Sequence, residues 1–347
     1  MTDFTRLPDV ASRALGGSVV YANDEFYGGS EHLISPNLPS HDRAAFNLRG
    51  KVYDGWESRR RRTPGEDFAI VRLAVPAIVR GVSVDTSFFA GNYPPAVSLD
   101  GATVLGYPRA EDLLAAEWTP LLPRTAVAGD SANVLAVEAD DRLLTHVRIT
   151  MHPDGGIARL RLYGEVVPDP RYLGGRVDLA ATVHGGRITG CSNWFYSSPA
   201  NILGPGRAAV MSDGWETARR RDDGNDWVTV ALAADAVLHE VVVDTTCFVG
   251  NAPAAARLTS VGSGAELLPM VALVPDTEHR FRIRSAEPVR EVRLDIHPDG
   301  GISRLRLVGT VVPHAHEAVA DRWLTLLGRE AAAGIDRGEF FEQDQHA

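Results

Sequence analysis

The chain contains its own sequence twice, so any fold it adopts has to be built from two like units. Residues 152–168 read HPDGGIARLRLYGEVVP and residues 297–313 read HPDGGISRLRLVGTVVP, identical at fourteen of seventeen positions. Three further blocks recur in the same order. Asp9-Val10-Ala11, ending at Gly16-Gly17, answers Asp178-Leu179-Ala180, ending at Gly185-Gly186; Asp54-Gly55-Trp56-Glu57 answers Asp213-Gly214-Trp215-Glu216; and Asp85 through Gly91-Asn92 answers Asp244 through Gly250-Asn251. The offset between the copies falls from 169 to 159 to 145 residues along the chain. The first copy therefore carries two extra segments, of about ten and about fourteen residues, between intact blocks, as surface loops do.

A repeat this long lies far above the roughly 20–50 residues of solenoid and propeller modules, so the pattern predicts a tandem pair of domains rather than a stacked array. The blocks set the domains at residues 9–168 and 178–313, each long enough for its own core, with a tail at 314–347. Pro168-Asp169-Pro170 reads as a short, stiff joint.

A formal net charge of −10 argues against electrostatic binding to nucleic acid or to an anionic membrane surface. Lysine occurs once, at Lys51, so positive charge here is almost always a guanidinium. Both cysteines, Cys191 and Cys247, lie in the second copy, opposite Ala22 and Phe88 of the first, which speaks against a disulfide framework. No stretch approaches the roughly 18 apolar residues of a membrane helix, and the first residues lack a cationic end followed by an apolar run. These features lead to the expectation of a soluble, cytoplasmic protein.

Short alternating or β-branched segments between turn residues, at 68–75, 81–86, 146–151 and 157–167, recur in the second copy and predict an all-β sandwich. In 157–163, Ala158, Leu160 and Leu162 share one face and Arg159 and Arg161 the other, as a half-buried antiparallel strand requires. Helical signal is confined to the repeat edges. Asp9 and Asp178 read as caps of a short turn that ends at paired glycines, and residues 317–333 as one C-terminal amphipathic helix, a candidate contact between subunits.

The repeated DGWE followed by arginines, the repeated VDT then FxGN, the repeated PDGGIxRLRL and the segment NDEFY at 23–27 together resemble the allantoicase family over about residues 9–313. The resemblance implies tandem duplicated jelly-roll domains of galactose-binding-like topology. It also implies hydrolysis of allantoate to ureidoglycolate and urea, and a homo-oligomer.

The residues permit that chemistry. Expelling urea from allantoate requires a proton on the leaving nitrogen and an activated water, for which a carboxyl group and a carboxylate-gripping guanidinium suffice. Glu57 and Glu216 are the candidate proton carriers, and Arg60 and Arg219, three residues on, the candidate grips for the substrate carboxylate. Asn92 and Asn251 can hydrogen-bond a ureido arm. Asp54, Asp213, Trp56 and Trp215 complete the repeated block as candidate binding residues, although Asp-Gly is also a turn dipeptide and a tryptophan also fills a core. His152 and His297, the only histidines shared by the copies, are reserve acid–base groups. Asp154 and Asp299 read as turn residues, and Asp85 and Asp244 as either site or loop-capping residues.

Asp24, Glu25 and Glu31 form an acidic cluster found in the first copy alone, which favours that half and makes Glu25 a further catalytic candidate. The cluster offers hard oxygen donors, yet no HExxH, cysteine cluster or close histidine spacing is present, so neither a metal nor another cofactor is expected. The competing reading is a noncatalytic tandem jelly-roll that binds carbohydrate or another small ligand. Such a binder favours exposed aromatic platforms, whereas the repeated features here are carboxylates, arginines and an amide.

Overall fold

The computed structural model describes residues 3–137 and 141–341. The chain divides into two units, Met1–Val167 and Pro168–Ala347. In the first, the organising element is the long strand Asp67–Asp85, whose two halves belong to different layers. Its first half pairs with Ser18–Ala22 and with Leu144–His152, and beyond the latter come Ala96–Ala102 and Thr119–Ala126. The pairing breaks between Arg72 and Ala77, around Pro76, which has no amide proton for a ladder. The second half then pairs with Arg159–Val166 and Ala132–Ala136. Every pairing is antiparallel.

Alternation carries the inward side chains of both layers into one core. Ala69, Val71, Val97, Leu99, Val147 and Ile149 of one layer meet Val82, Val84, Leu160 and Leu162 of the other. Leu160 and Leu162 are thus buried as their spacing predicts, and Ala158 is buried as well.

The second unit repeats this plan on Asp226–Asp244, which pairs with Arg187–Cys191 and Val289–His297 in its first half and with Arg304–Val311 and Glu278–Arg282 in its second. The two insertions of the first copy fall within residues 35–53, between Ser30–Ile34 and Trp56–Glu57, and within residues 103–118, between two strands. The latter holds a short helix, Ala110–Ala115, in the middle of a repeat where only edge helices were expected.

Two local expectations need correction. The C-terminal helix runs Pro313–Leu327, not 317–333. Proline's fixed φ suits a first helical turn, and Gly328, at φ 85°, ends the helix before the short segment Arg329–Ala332. Ala315, Ala320, Trp323 and Leu327 are its buried residues, Ala315 within the core of the second unit, and His316 Nε2 lies 2.8 Å from the Pro170 carbonyl. Nor does Asp9 cap the turn Arg13–Leu15, which is capped by Ser12 and closed by Gly16 at φ 112°. The Asp9 carboxylate instead accepts from the amides of Ala11 and Leu162 at 3.2 and 2.9 Å, tying the chain start to the strand Arg159–Val166; Asp178 does the same with Ala180 and Leu307.

Candidate active site

The Asp-Gly-Trp-Glu block runs into a two-residue strand, Trp56–Glu57, paired with Gly156–Ile157 of the PDGGI turn. Gly55 is required: a Cβ there would lie 2.7 Å from the Phe89 ring and 2.8 Å from the Ile157 carbonyl oxygen. Alternation then sends the Trp56 side chain inward and Glu57 to the opposite side. Trp56 is fully buried, with its indole N–H donating to the Asp24 carbonyl at 2.8 Å, and Trp215 is held likewise on Asn193. Both expected substrate-binding tryptophans thus lie in the cores of their units.

Glu57 is half-buried. The Asn92 amide donates to Glu57 Oε1 at 2.7 Å, while the Asn92 carbonyl accepts from Gly156 N–H at 2.7 Å. Asparagine and glutamate are therefore fixed against the same turn. Burial pushes the Glu57 carboxyl above its ordinary range, and the Asn92 hydrogen bond only partly offsets this. Oε2 takes no hydrogen bond from the described residues. In the second unit Asn251 donates to Glu216 Oε1 at 2.6 Å and accepts from Gly301 at 2.9 Å. The FxGN loop that carries each asparagine is shaped by a residue in the left-handed region, Phe88 at φ 69° and Cys247 at φ 73°, whose amides donate to Asp130 and Asp276.

The arginine run divides its labour. Arg61 donates from its backbone amide to Asp154 at 2.7 Å and from Nε to Asp67 at 2.8 Å, and Arg220 repeats this with Asp299 and Asp226. These are bracing contacts, and they assign Asp154 and Asp299 to holding the turn. Arg59 pairs with Asp24 at 2.7 Å. Arg60 and Arg219 are exposed and pair with no carboxylate among the described residues.

The remaining candidates are engaged elsewhere. Asp54 accepts from Arg159 Nη2 at 2.8 Å and from the Ser40 amide and hydroxyl at 2.9 and 3.0 Å, with His32 Nδ1 at 2.9 Å. Partial burial would raise its carboxyl, but these partners outweigh burial and hold it well below the usual carboxylate range. Asp213 lacks this guanidinium: its carboxylate caps Ala209 and Val210, and Arg304 reaches only its backbone carbonyl. Both aspartates, expected as substrate ligands, thus anchor their loops here. Asp85 and Asp244 likewise cap their own loops.

His152 is buried with both ring nitrogens hydrogen-bonded, Nδ1 to Glu66 and Nε2 to Ser98 at 2.9 Å. Its counterpart His297 keeps neither partner, since Asn225 turns to Asp295 and Arg257 stands where Ser98 does; its Nε2 is buried without a hydrogen bond. Glu25, expected as a catalytic residue, accepts from the amide and hydroxyl of Ser30 and so caps its own loop. Asp24 and Glu25 thus point to separate partners, and among the described residues no three His, Cys, Asp or Glu side chains gather as a metal-holding group.

Residue reading missed the segment 35–53. It brings Ser40 to Asp54 and His41 against Tyr53 and Phe88, at ring-centroid distances of 5.6 and 5.1 Å. The available signal was that an insertion confined to one copy contained the sole lysine, a histidine and a tyrosine.

Comparison with known proteins agrees with this architecture. The model of the family described as allantoicase repeat matches twice, at residues 8–167 and 177–312. A protein named "Probable allantoicase" from Nocardia farcinica is 55% identical over 313 residues, covering 88% of this chain and 95% of the relative. One of the same name from Streptomyces avermitilis is 45% identical over 343 residues, covering 94% and 91%. The crystal structure of allantoicase from Saccharomyces cerevisiae superposes with a TM-score of 0.77 at 34% identity, covering 87% of this chain and 92% of that one. Fold and site define a tandem-repeat jelly-roll protein with one carboxylate–amide pair per repeat. The chain belongs to the allantoicase family.

Proposed function

We propose that this protein is a hydrolase that converts allantoate and water to ureidoglycolate and urea in purine breakdown. The observation that carries the reading is the half-buried glutamate held through one oxygen by an asparagine amide, with an unpaired arginine three residues on, in both repeats. The Arg60 or Arg219 guanidinium takes the substrate carboxylate through two parallel N–H bonds. The free oxygen of Glu57 or Glu216 accepts a proton from water while that water's oxygen takes the place of the departing nitrogen on the central carbon. The C–N bond breaks in the same step with its electron pair on nitrogen, and that nitrogen takes up the proton as urea departs. A carboxyl raised by burial suits this exchange, because it binds its proton more firmly than an exposed acid. Asn92 and Asn251 fix the carboxyl and hold a ureido carbonyl within reach.

The same reading places the protein in the cytoplasm as a homo-oligomer. Its support is the family and a tail helix with no counterpart in the first repeat; size-exclusion chromatography with light scattering tests the assembly. Among the described residues no helix is long and apolar enough to cross a membrane.

The test of the activity is urea release from allantoate by purified, chelator-treated protein, with and without added divalent metal, against allantoin and N-carbamoyl amino acids as controls. Release from allantoate without metal is expected. No release under any condition refutes the reading and favours the ligand-binding alternative.

A further inference from the structure

The two repeats carry the same glutamate–asparagine pair but present it in different surroundings. In the first, the segment 35–53 is clamped near the block that ends in Glu57. Arg159, almost fully buried, donates to the Asn37 carbonyl at 2.9 Å as well as to Asp54, Ser40 donates twice to Asp54, and Arg49 donates to the Phe26 carbonyl at 2.6 Å. So fastened, the segment lays the His41 ring almost parallel to Tyr53 and to Phe88, with interplanar angles of 11° and 22°. Tyr53 in turn packs on Phe89 at 4.8 Å, and Phe89 fills the space that Cβ atoms at Gly55 and Gly156 would take. Gly156 is the strand partner of Glu57. His41 therefore stands in a stack joined on one side to the Glu57 ladder and on the other to the loop that ends at Asn92.

Its nitrogens have no partner among the described side chains and backbone groups, and Nδ1 is buried. The ring is oriented by aromatic faces alone, whereas His152 is held by hydrogen bonds to Glu66 and Ser98. Beside it the sole lysine, Lys51, sets its ammonium 5.3 Å from the Tyr53 ring centroid, adding positive charge to the same wall. The second repeat has none of this. Its shorter loop offers Met211, whose sulfur lies 4.0 Å from the Asn251 amide nitrogen, and Cys247 stands in place of Phe88.

We infer that turnover takes place in the first repeat and that His41 is a catalytic residue there, the acid that protonates the departing ureido nitrogen. This rests on the hydrolase reading above. As the C–N bond breaks with its electron pair on nitrogen, a water oxygen bonds to the same carbon and gives a proton to Glu57; His41 supplies the departing nitrogen's proton; and solvent returns the proton held by Glu57 to His41. Acid and base are then separate groups, so Glu57 need not pass its proton on within the same step.

The test measures urea release by the full-length chain and three variants. His41→Phe keeps a ring in the stack and removes both nitrogens, and a loss of about 10²-fold or more in kcat with unchanged thermal unfolding is expected. His41→Ala opens a slot between Tyr53 and Phe88, and added imidazole is expected to restore at least tenfold of its activity, which a merely structural role would not allow. Glu57→Gln is expected to leave about 1% of wild-type turnover or less, whereas two equally active repeats would leave about half. Wild-type turnover in His41→Phe, an alanine variant that imidazole does not rescue, or half-activity in Glu57→Gln each overturns the inference. Wild-type protein that releases no urea refutes the hydrolase reading instead, so the two failures are distinguishable.

Discussion

Replacing Arg159 by Met isolates what one buried guanidinium contributes to the first repeat. The side chain is 2% exposed and donates to Asp54 Oδ2 at 2.8 Å and to the carbonyls of Asp54, Ala158 and Asn37 at 3.0, 2.7 and 2.9 Å. Methionine fills most of the volume but leaves the carboxylate without its charge partner. Removing one member of a buried pair costs about 3–5 kcal/mol, and because Ser40 and His32 still hold Asp54 the lower end applies, about 3 kcal/mol. With a urea m-value of about 2 kcal/mol/M, that is a fall of about 1.5 M in the unfolding midpoint, read by tryptophan fluorescence.

The loss has a definite pH dependence. Asp54 is held below the usual carboxylate range, so its contribution is present above the unfolded value of about 3.9 and disappears as pH falls toward the folded value. The gap between variant and wild type should therefore narrow below about pH 4. Arg304 supplies the internal control. It meets only carbonyls of Gly206, Asp213 and Ser303, and burial holds its guanidinium below its usual value, so Arg304→Met strands no carboxylate and should cost about 1–2 kcal/mol. A midpoint fall under about 0.5 M for Arg159→Met, or equal losses at the two arginines, would refute the reasoning.

Arg60→Lys should raise KM for allantoate about tenfold with thermal unfolding unchanged, because Arg60 braces nothing yet a single ammonium cannot form two parallel bonds; steady-state kinetics check this. Asn92→Ala removes the one contact that opposes burial at Glu57, so the rate limb governed by that carboxyl should move to higher pH, and a limb that stays in place or moves down contradicts the assignment. Gly156→Ala would drive a Cβ to 2.1 Å from the Phe89 ring; overpacking of this kind costs about 1–3 kcal/mol, and calorimetry should find a lowered Tm for the first unit.

The duplication and the strand-rich sandwich were legible because each leaves a local mark in sequence, identical blocks and period-two alternation; Glu57 and Asn92 stood out by recurrence, but not the hydrogen bond between them. Partner choice was not. Nothing in the run Arg59 to Arg62 distinguishes a bracing arginine from a free one, since the difference lies with Asp24, Asp67 and Asp154, which reach it only after the sheet closes. His152 looked poised because it recurs, yet the serine and glutamate that engage it occur in the first copy alone. His41 went unseen for the opposite reason: with no twin in the second copy, repetition could not point to it.

Arg159 and Arg304 hold their neighbouring loops by main-chain oxygens, Asn37 and Asp54 in one repeat and Gly206 and Asp213 in the other. A clasp on carbonyls is blind to side chains, because every residue offers the same oxygen. Mutations in the clasped segment can thus accumulate without loosening its attachment, and insertions between the clasped points are tolerated at little entropic cost. After the ancestral unit was copied, this gave each half a stretch of chain that was anchored yet free to diverge, and a route by which one half can acquire new chemistry while its twin keeps the scaffold.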